Sequence, residues 1–361
     1  MTNIHIGTWA DPESVFRWRA IRLKNAAGTP TITITEGQPV TQRTLCWASA
    51  IDSDTWYDFD NASTDLTTIT FSNDNPFPFD PVYVCTWPAY PYSRALRKVA
   101  AWLTSPYCSD TTSSTNGVIG ASTPRADGNY GRTVPALSYL GVKITDPASV
   151  ETKNTCVLVS GVHSSETVGN WSLEGAVNFL LSADADAALL RTWFNFYVYP
   201  MTNPQGRWAG YQRSQPENAA LNTNRQWLTP GALENIDAFV TAITTDTGGS
   251  LEAGIDFHTN MHMTYSYSVA NDIAALKHPE WAVAMAALEA TYKMGNDVNA
   301  GLAHDFFETL VGGTLCVSVT DEVSNKISVS PLPSGYTTHG ANLMRALATL
   351  LADGDFPNGP V

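Results

Sequence analysis

The stretch Cys156-Val-Leu-Val-Ser-Gly-Val-His-Ser-Ser-Glu166 decides how the rest of the chain is read. Cys156–Val162 is a short apolar run, suited to a strand buried on both faces. It runs directly into His163 and Glu166. Thr167–Ser182 then sets Val168, Trp171, Val177, Leu180 and Leu181 on one helical side. Outward from this strand and helix the alternation continues. The pattern predicts a strand at Phe194–Tyr199, a helix at Leu233–Thr244 and a strand near Ile255–His258. A helix at Glu280–Lys293 is expected just after Pro279, then a strand at Thr314–Thr320 and a last helix at Gly340–Leu351. Strands alternating with helices imply an α/β domain with a largely parallel or mixed sheet. Such sheets bind ligands beyond the carboxyl ends of their strands, which is where the polar residues of this chain fall.

Upstream the pattern is different. Thr31–Thr35 and Thr67–Phe71 alternate with period two, and clusters such as Ser72–Pro78 separate the runs, which predicts a β-sandwich. Asp110–Gly128, rich in Ser, Thr and Gly, reads as a linker or long loop. With 361 residues, two units are expected: a sandwich over 1–125 and an α/β domain over 126–361. Charged residues are only 15% of the chain and hydrophobic ones 43%, which excludes a disordered or coiled-coil protein. The net charge of −14 leaves too few cations for a basic face, so nucleic acid is not expected as a partner. Only nine of the cations lie after residue 150, so each arginine there needs a reason. No apolar run is long enough for a membrane span. The first residues show no basic segment followed by an apolar one, so no signal peptide is visible and a cytoplasmic protein is expected. Five scattered cysteines without CxxC spacing read as buried thiols.

His163 and Glu166, three apart on a loop leaving a buried strand, can turn a nitrogen and a carboxylate onto one ion. His258, at the end of another strand, would supply a third ligand. A His₂Glu set leaves a fourth position for water, the arrangement of a catalytic zinc. Such an ion activates water near neutral pH and polarises a carbonyl. HxxE alone is a weak motif. Further groups follow in order, however: Asn203-Pro-Gln-Gly206, Arg213, Asn224-Arg225-Gln-Trp227 and Asp321-Glu322.

Together these motifs resemble the M14 zinc carboxypeptidases, most of all the cytosolic carboxypeptidase-like branch with its N-terminal β-sandwich. Trp56–Asn61 and Tyr90-Pro-Tyr92 also look like parts of that sandwich and its junction. The resemblance implies a carboxypeptidase-like domain with a mixed central sheet flanked by helices. It implies Zn2+ held by His163, Glu166 and His258, with Glu322 as general base and Arg213 stabilising the oxyanion. Asn224 and Arg225 match the pair that grips a terminal carboxylate, a task suited to a planar guanidinium. Two positions depart from the pattern. Asn222 stands where the family has an Asp that supports a zinc-bound histidine, so the hydrogen bond remains without its charge. Gln205 replaces the Asp of NPDG, a turn detail.

The rest of the region shapes the substrate reading. Between His258 and Glu322 the only cations are Lys277 and Lys293, both expected in or beside helices, which argues against trimming of polyglutamate. Tyr265, Tyr267, Met261 and Met263 suggest a neutral or aromatic pocket. Tyr265, Tyr267 and Tyr292 are equal candidates for the family's mobile tyrosine. His262 reads as a pocket wall, Asp321 as a surface or supporting group, and His278, His304 and His339 as structural or surface residues. Trp171 and Trp227 are expected in the core. The expected substrate is a peptide, cleaved at its C-terminal bond. An aspartoacylase-like deacylase acting on a small amide competes with this, as does a weakly active glycan- or cell-wall-binding protein.

Overall fold

The computed structural model describes residues 20–24, 31–35, 45–64, 68–127, 132–260, 265–272, 274–297, 299–310, 314–324 and 332–360. An eight-stranded mixed sheet dominates it. Numbering the strands of this sheet alone, they are β1 (Cys108–Ser109), β2 (Val142–Ile144), β3 (Asn154–Ser160) and β4 (Phe194–Tyr199), then β5 (Ala253–Asn260), β6 (Tyr267–Ala270), β7 (Lys293–Asn296) and β8 (Val317–Ser324). Their spatial order is β7-β6-β8-β5-β3-β4-β2-β1. Strands β4, β3, β5 and β8 run parallel, so their carboxyl ends open on one edge. β6 runs antiparallel to β8, and β2 antiparallel to β4.

The helices are α1 (Tyr92–Trp102), α2 (Thr167–Leu180), α3 (Ala185–Trp193), α4 (Pro204–Ala209), α5 (Glu234–Thr247), α6 (His278–Leu288), α7 (Ala303–Thr309) and α8 (Ser334–Ala352). Strand alternation separates two cores. Cys156, Leu158, Ile255, Phe257, Val317 and Val319 face the side of α1, α2, α3, α6 and α8. Val157, Val159, Tyr197 and Tyr199 face α5 and α7. Trp171 and Trp227 are buried, one in each core. Ahead of this domain, a four-stranded and a three-stranded sheet share a small core of Ile32, Leu45, Phe71, Phe77, Val82 and Val84, the expected sandwich arrangement.

Several elements differ from the sequence reading. α6 ends at Leu288, and Lys293 opens strand β7 instead of closing the helix. Glu289 is drawn out of the helix by His339 and Asn342, which bond its carboxylate at 2.7 and 3.1 Å. β8 continues through Asp321 and Glu322 because a buried partner on α8 neutralises Asp321. α8 begins at Ser334, six residues before Gly340. That glycine is a contact point and not a breaker: a Cβ there would lie 1.8 Å from the Ser172 carbonyl oxygen of α2. Asp110–Gly128 is more than a linker, since it carries strands at Val118–Ala121 and Arg125–Asp127. The Asp110 carboxylate anchors its first turn by accepting from the Asn116 and Gly117 N–H groups at 3.0 and 2.6 Å. All five cysteines are buried free thiols. Among the described residues no helix is long and apolar enough to cross a membrane.

Candidate metal centre

β3 ends at Ser160, and Gly161 turns the chain with φ of +74° into the loop that carries His163 and Glu166. The loop is tied on every side. Ser164 Oγ donates to the Tyr211 carbonyl at 2.6 Å, and the Asn203 amide donates to the Val162 carbonyl at 3.2 Å. The indole N–H of Trp87, from the segment before α1, donates to the Ser165 carbonyl at 3.1 Å. Thr223 Oγ1 reaches the Val162 and Arg213 carbonyls at 2.7 and 2.9 Å, which joins this loop to the 3₁₀ turn Thr223–Arg225.

His163, Glu166 and His258 are all buried, with one ligand atom from each within 4.8 Å of the others. Both imidazoles present Nδ1 to the same carboxylate. His163 Nδ1 lies 2.9 Å from Glu166 Oε1, and His258 Nδ1 lies 2.7 Å from Oε2. The outer nitrogens are held as well: His163 Nε2 by Asn222 Oδ1 at 3.0 Å, and His258 Nε2 by Asp256 Oδ2 at 2.8 Å. Burial would push the Glu166 carboxyl up, but the two histidines outweigh it and hold the group well below its usual range. Burial lowers His163, whereas Asp256 and Glu166 overcome burial at His258 and raise it. Two nitrogens and a carboxylate converging in a buried site, each histidine fixed through its other nitrogen, are the donor set and support that zinc requires.

Across the sheet, His258 of β5 pairs in register with Glu322 of β8, and Glu322 with Tyr267 of β6. Tyr267 in turn pairs with Lys293 of β7. Partners in register point to the same face, so these four form a row beside the cluster. Glu322 is half-buried, and its pKa is pushed up to about 8 by burial, with Glu166 and Asp321 adding to the effect against His258 and Arg213. Arg213 brings its guanidinium to 3.5 Å from Glu166 Oε1. Arg225 is half-buried and donates to the Asn224 carbonyl at 2.8 Å. Tyr265 and Tyr267 stack edge to face at 6.4 Å.

The other residues that the sequence singled out agree with its reading in part. Asn224 is buried, its Nδ2 3.1 Å from His258 Nε2 and 3.5 Å from Asp256 Oδ2, while its oxygen accepts from the Ala303 N–H at 3.2 Å. Its amide is engaged inside the site. Lys293 is not helical: it lies on the edge strand, its ammonium 6.0 Å from the Tyr265 ring centre. Tyr292 is on the far side of the sheet, bonded to Ser268 and Trp281. Asp321 is not on the surface; it is fully buried on that same far face and pairs with His339 at 2.9 Å. His278, His304 and His339 are buried and hydrogen-bonded. Gln205 sits in the first turn of α4 and donates to the Thr123 carbonyl at 2.8 Å. Met261, His262 and Met263 lie outside the described residues. Asp256 was missed, although Asp-Phe-His at i and i+2 on a strand puts both polar groups on one face.

The fold sets a His₂Glu cluster at the carboxyl edge of a mixed sheet, an arrangement similar to that of the metallocarboxypeptidases. Residues 128–239 match the zinc carboxypeptidase family (Peptidase_M14), so the chain is related to that family through the segment holding His163, Glu166, Arg213, Asn224 and Arg225. It is 37% identical over 97 residues to cytosolic carboxypeptidase 2 of Xenopus tropicalis, covering 26% of this chain and 10% of that protein. It is 29% identical over 141 residues to human cytosolic carboxypeptidase 6, covering 37% of this chain and 28% of that protein. The matches therefore span between a tenth and about a quarter of these relatives. In fold, it superposes on a metallo-carboxypeptidase from Burkholderia cenocepacia with a TM-score of 0.72 at 18% identity, covering 94% of this chain and 90% of the other. A Pseudomonas aeruginosa metallo-carboxypeptidase in complex with (2-guanidinoethylmercapto)succinic acid gives 0.70 at 14% identity, covering 94% and 90%.

Proposed function

We propose that the protein is a zinc-dependent carboxypeptidase that hydrolyses the C-terminal peptide bond of a peptide substrate. One observation carries this reading: the buried His163–Glu166–His258 cluster stands in register with a carboxylate, Glu322, one strand away. Zinc, when bound, supplies Lewis-acid activation of water and carbonyl. Glu322, one strand from the cluster, takes the proton from the attacking water and delivers it to the leaving amine. Arg213, beside Glu166, stabilises the negative charge that develops on the carbonyl oxygen. Arg225 holds the substrate's free carboxylate. Asn224 supports this grip from within the site, its backbone carbonyl fixing the Arg225 side chain. Tyr265 and Tyr267 form an aromatic wall for the terminal side chain, with Lys293 at its rim.

The relatives are named cytosolic carboxypeptidases, and five unpaired thiols suit a reducing compartment, which supports a cytoplasmic location. The test is metal analysis. The purified protein should hold one zinc per chain, and His163→Ala, lacking one of three ligands, should lose most of it. Failure to take up zinc at micromolar levels, or equal retention by His163→Ala, contradicts the reading.

A further inference from the structure

The two histidines of the cluster are supported unequally. His163 is backed by a neutral amide, Asn222, whose Oδ1 also accepts the Asn224 backbone N–H at 3.0 Å. His258 is backed by a carboxylate, Asp256, at 2.8 Å. Asp256 is fully buried, and its Oδ1 makes no hydrogen bond among the described residues. Its partners are His258 and, at 3.5 Å, the Asn224 amide, both through Oδ2. A buried carboxylate with so few partners is costly to keep. Its neighbours Ile255 and Phe257 face the opposite core, so Asp256 lies on the face of β5 that carries His258.

We infer that Asp256 supplies the anionic support of the metal centre from the His258 side, in place of the charge that Asn222 lacks. Asp256 is a positioning residue. It fixes the Nε2–H tautomer of His258, turns Nδ1 toward Glu166, and increases the basicity of that ligand. Glu166 faces both Nδ1 atoms and Asp256 faces the outer nitrogen of His258, so that histidine is held between two carboxylates whereas His163 has one. The inference rests on the metal-binding reading above and adds to it which outer residue the affinity depends on.

The test measures dissociation constants for Zn2+ and Co2+ by competition with a chromophoric chelator, alongside the visible absorption of the Co2+ form. Asp256→Asn keeps the shape and a hydrogen-bond acceptor. It should weaken metal binding by roughly 10–100-fold, the usual cost of losing such a partner, and shift the Co2+ bands. Asn222→Ala should weaken it by only about threefold. In the double variant Asp256→Asn/Asn222→Asp, a carboxylate returns to the site and most of the loss should be recovered. Asp256→Asn binding within about twofold of the native protein overturns the inference, as does Asn222→Ala costing as much as Asp256→Asn. If Asp256→Asn does not fold, Asn222→Asp alone decides. With support already supplied by Asp256, it should tighten binding by no more than about threefold, and a gain of roughly tenfold or more overturns the inference. A native protein that binds neither ion would instead remove the metal-centre reading itself.

Discussion

Glu322 is the carboxylate that the sheet sets beside the His163–Glu166–His258 cluster. It lies in register with His258 on one side and Tyr267 on the other. Glu322→Gln preserves shape and register but cannot accept a proton. Turnover should fall by roughly 10²–10⁴-fold with substrate binding little changed, measured as kcat and KM on one peptide; unaltered turnover removes Glu322 from catalysis. Its pKa, raised from 4.5 to about 8 in the metal-free protein, also fixes a sign. The protonated form is favoured in the fold, so this stabilisation is present below the unfolded pKa and is lost as pH rises through the folded value. Metal-free Glu322→Gln should therefore gain on the native protein as pH rises from 4.5 to 8, by on the order of 1–3 kcal/mol after allowance for partial exposure. Urea unfolding at the two pH values checks this, and a pH-independent difference contradicts it. A bound cation pulls this raised pKa back toward its ordinary value, which places the acid limb of kcat/KM below pH 8. The clustering of His163 and Glu166 was legible because HxxE follows an apolar strand. Asp256 was not, because its role depends on the ring orientation of His258, which residue spacing does not encode.

Strand β8 delivers Glu322, and its far face shows how the strand tolerates two adjacent acids. His339 of α8 lies between Asp321 at 2.9 Å and Glu289 at 2.7 Å, and together these carboxylates outweigh its burial and raise its pKa to about 10. Stability from this group is complete below pH 6.5 and lost as pH rises through 10. His339→Gln leaves Asp321 buried beside a neutral partner and should cost about 3–5 kcal/mol near pH 6. The deficit should shrink above pH 10; thermal melts of both proteins across that range check it, and a deficit unchanged by pH contradicts the ion-pair account. These contacts also explain what the sequence hid. Asp321 looked like the end of a strand, since nothing nearby in sequence pairs with it, and its partner is 18 residues away. Likewise Lys293 looked helical after an Ala-rich segment, and only pairing with β6 makes it a strand residue. The long apolar strands β3 and β4 and the helix α2 were legible because their periodicity is local.

At the scale of the whole molecule, the N-terminal region braces the centre. Trp87 holds the Ser165 carbonyl, and Thr167 Oγ1 donates to the Pro88 carbonyl at 2.7 Å. Arg94 of α1 forks onto Glu174 of α2 at 3.0 and 2.8 Å, with its guanidinium 3.7 Å from the Trp171 ring centre. The loop bearing His163 and Glu166 is thereby fixed by the stretch of chain that precedes β1. What this assembly does to a substrate is tested most directly with a matched pair of peptides, identical except that one ends in a free carboxylate and the other in an amide. The zinc-loaded protein should release the terminal residue of the free acid and process the amide far more slowly. Arg225→Ala should raise KM for the free acid and erase the preference. Equal rates on the two peptides would contradict the account and point to an amidase or deacylase.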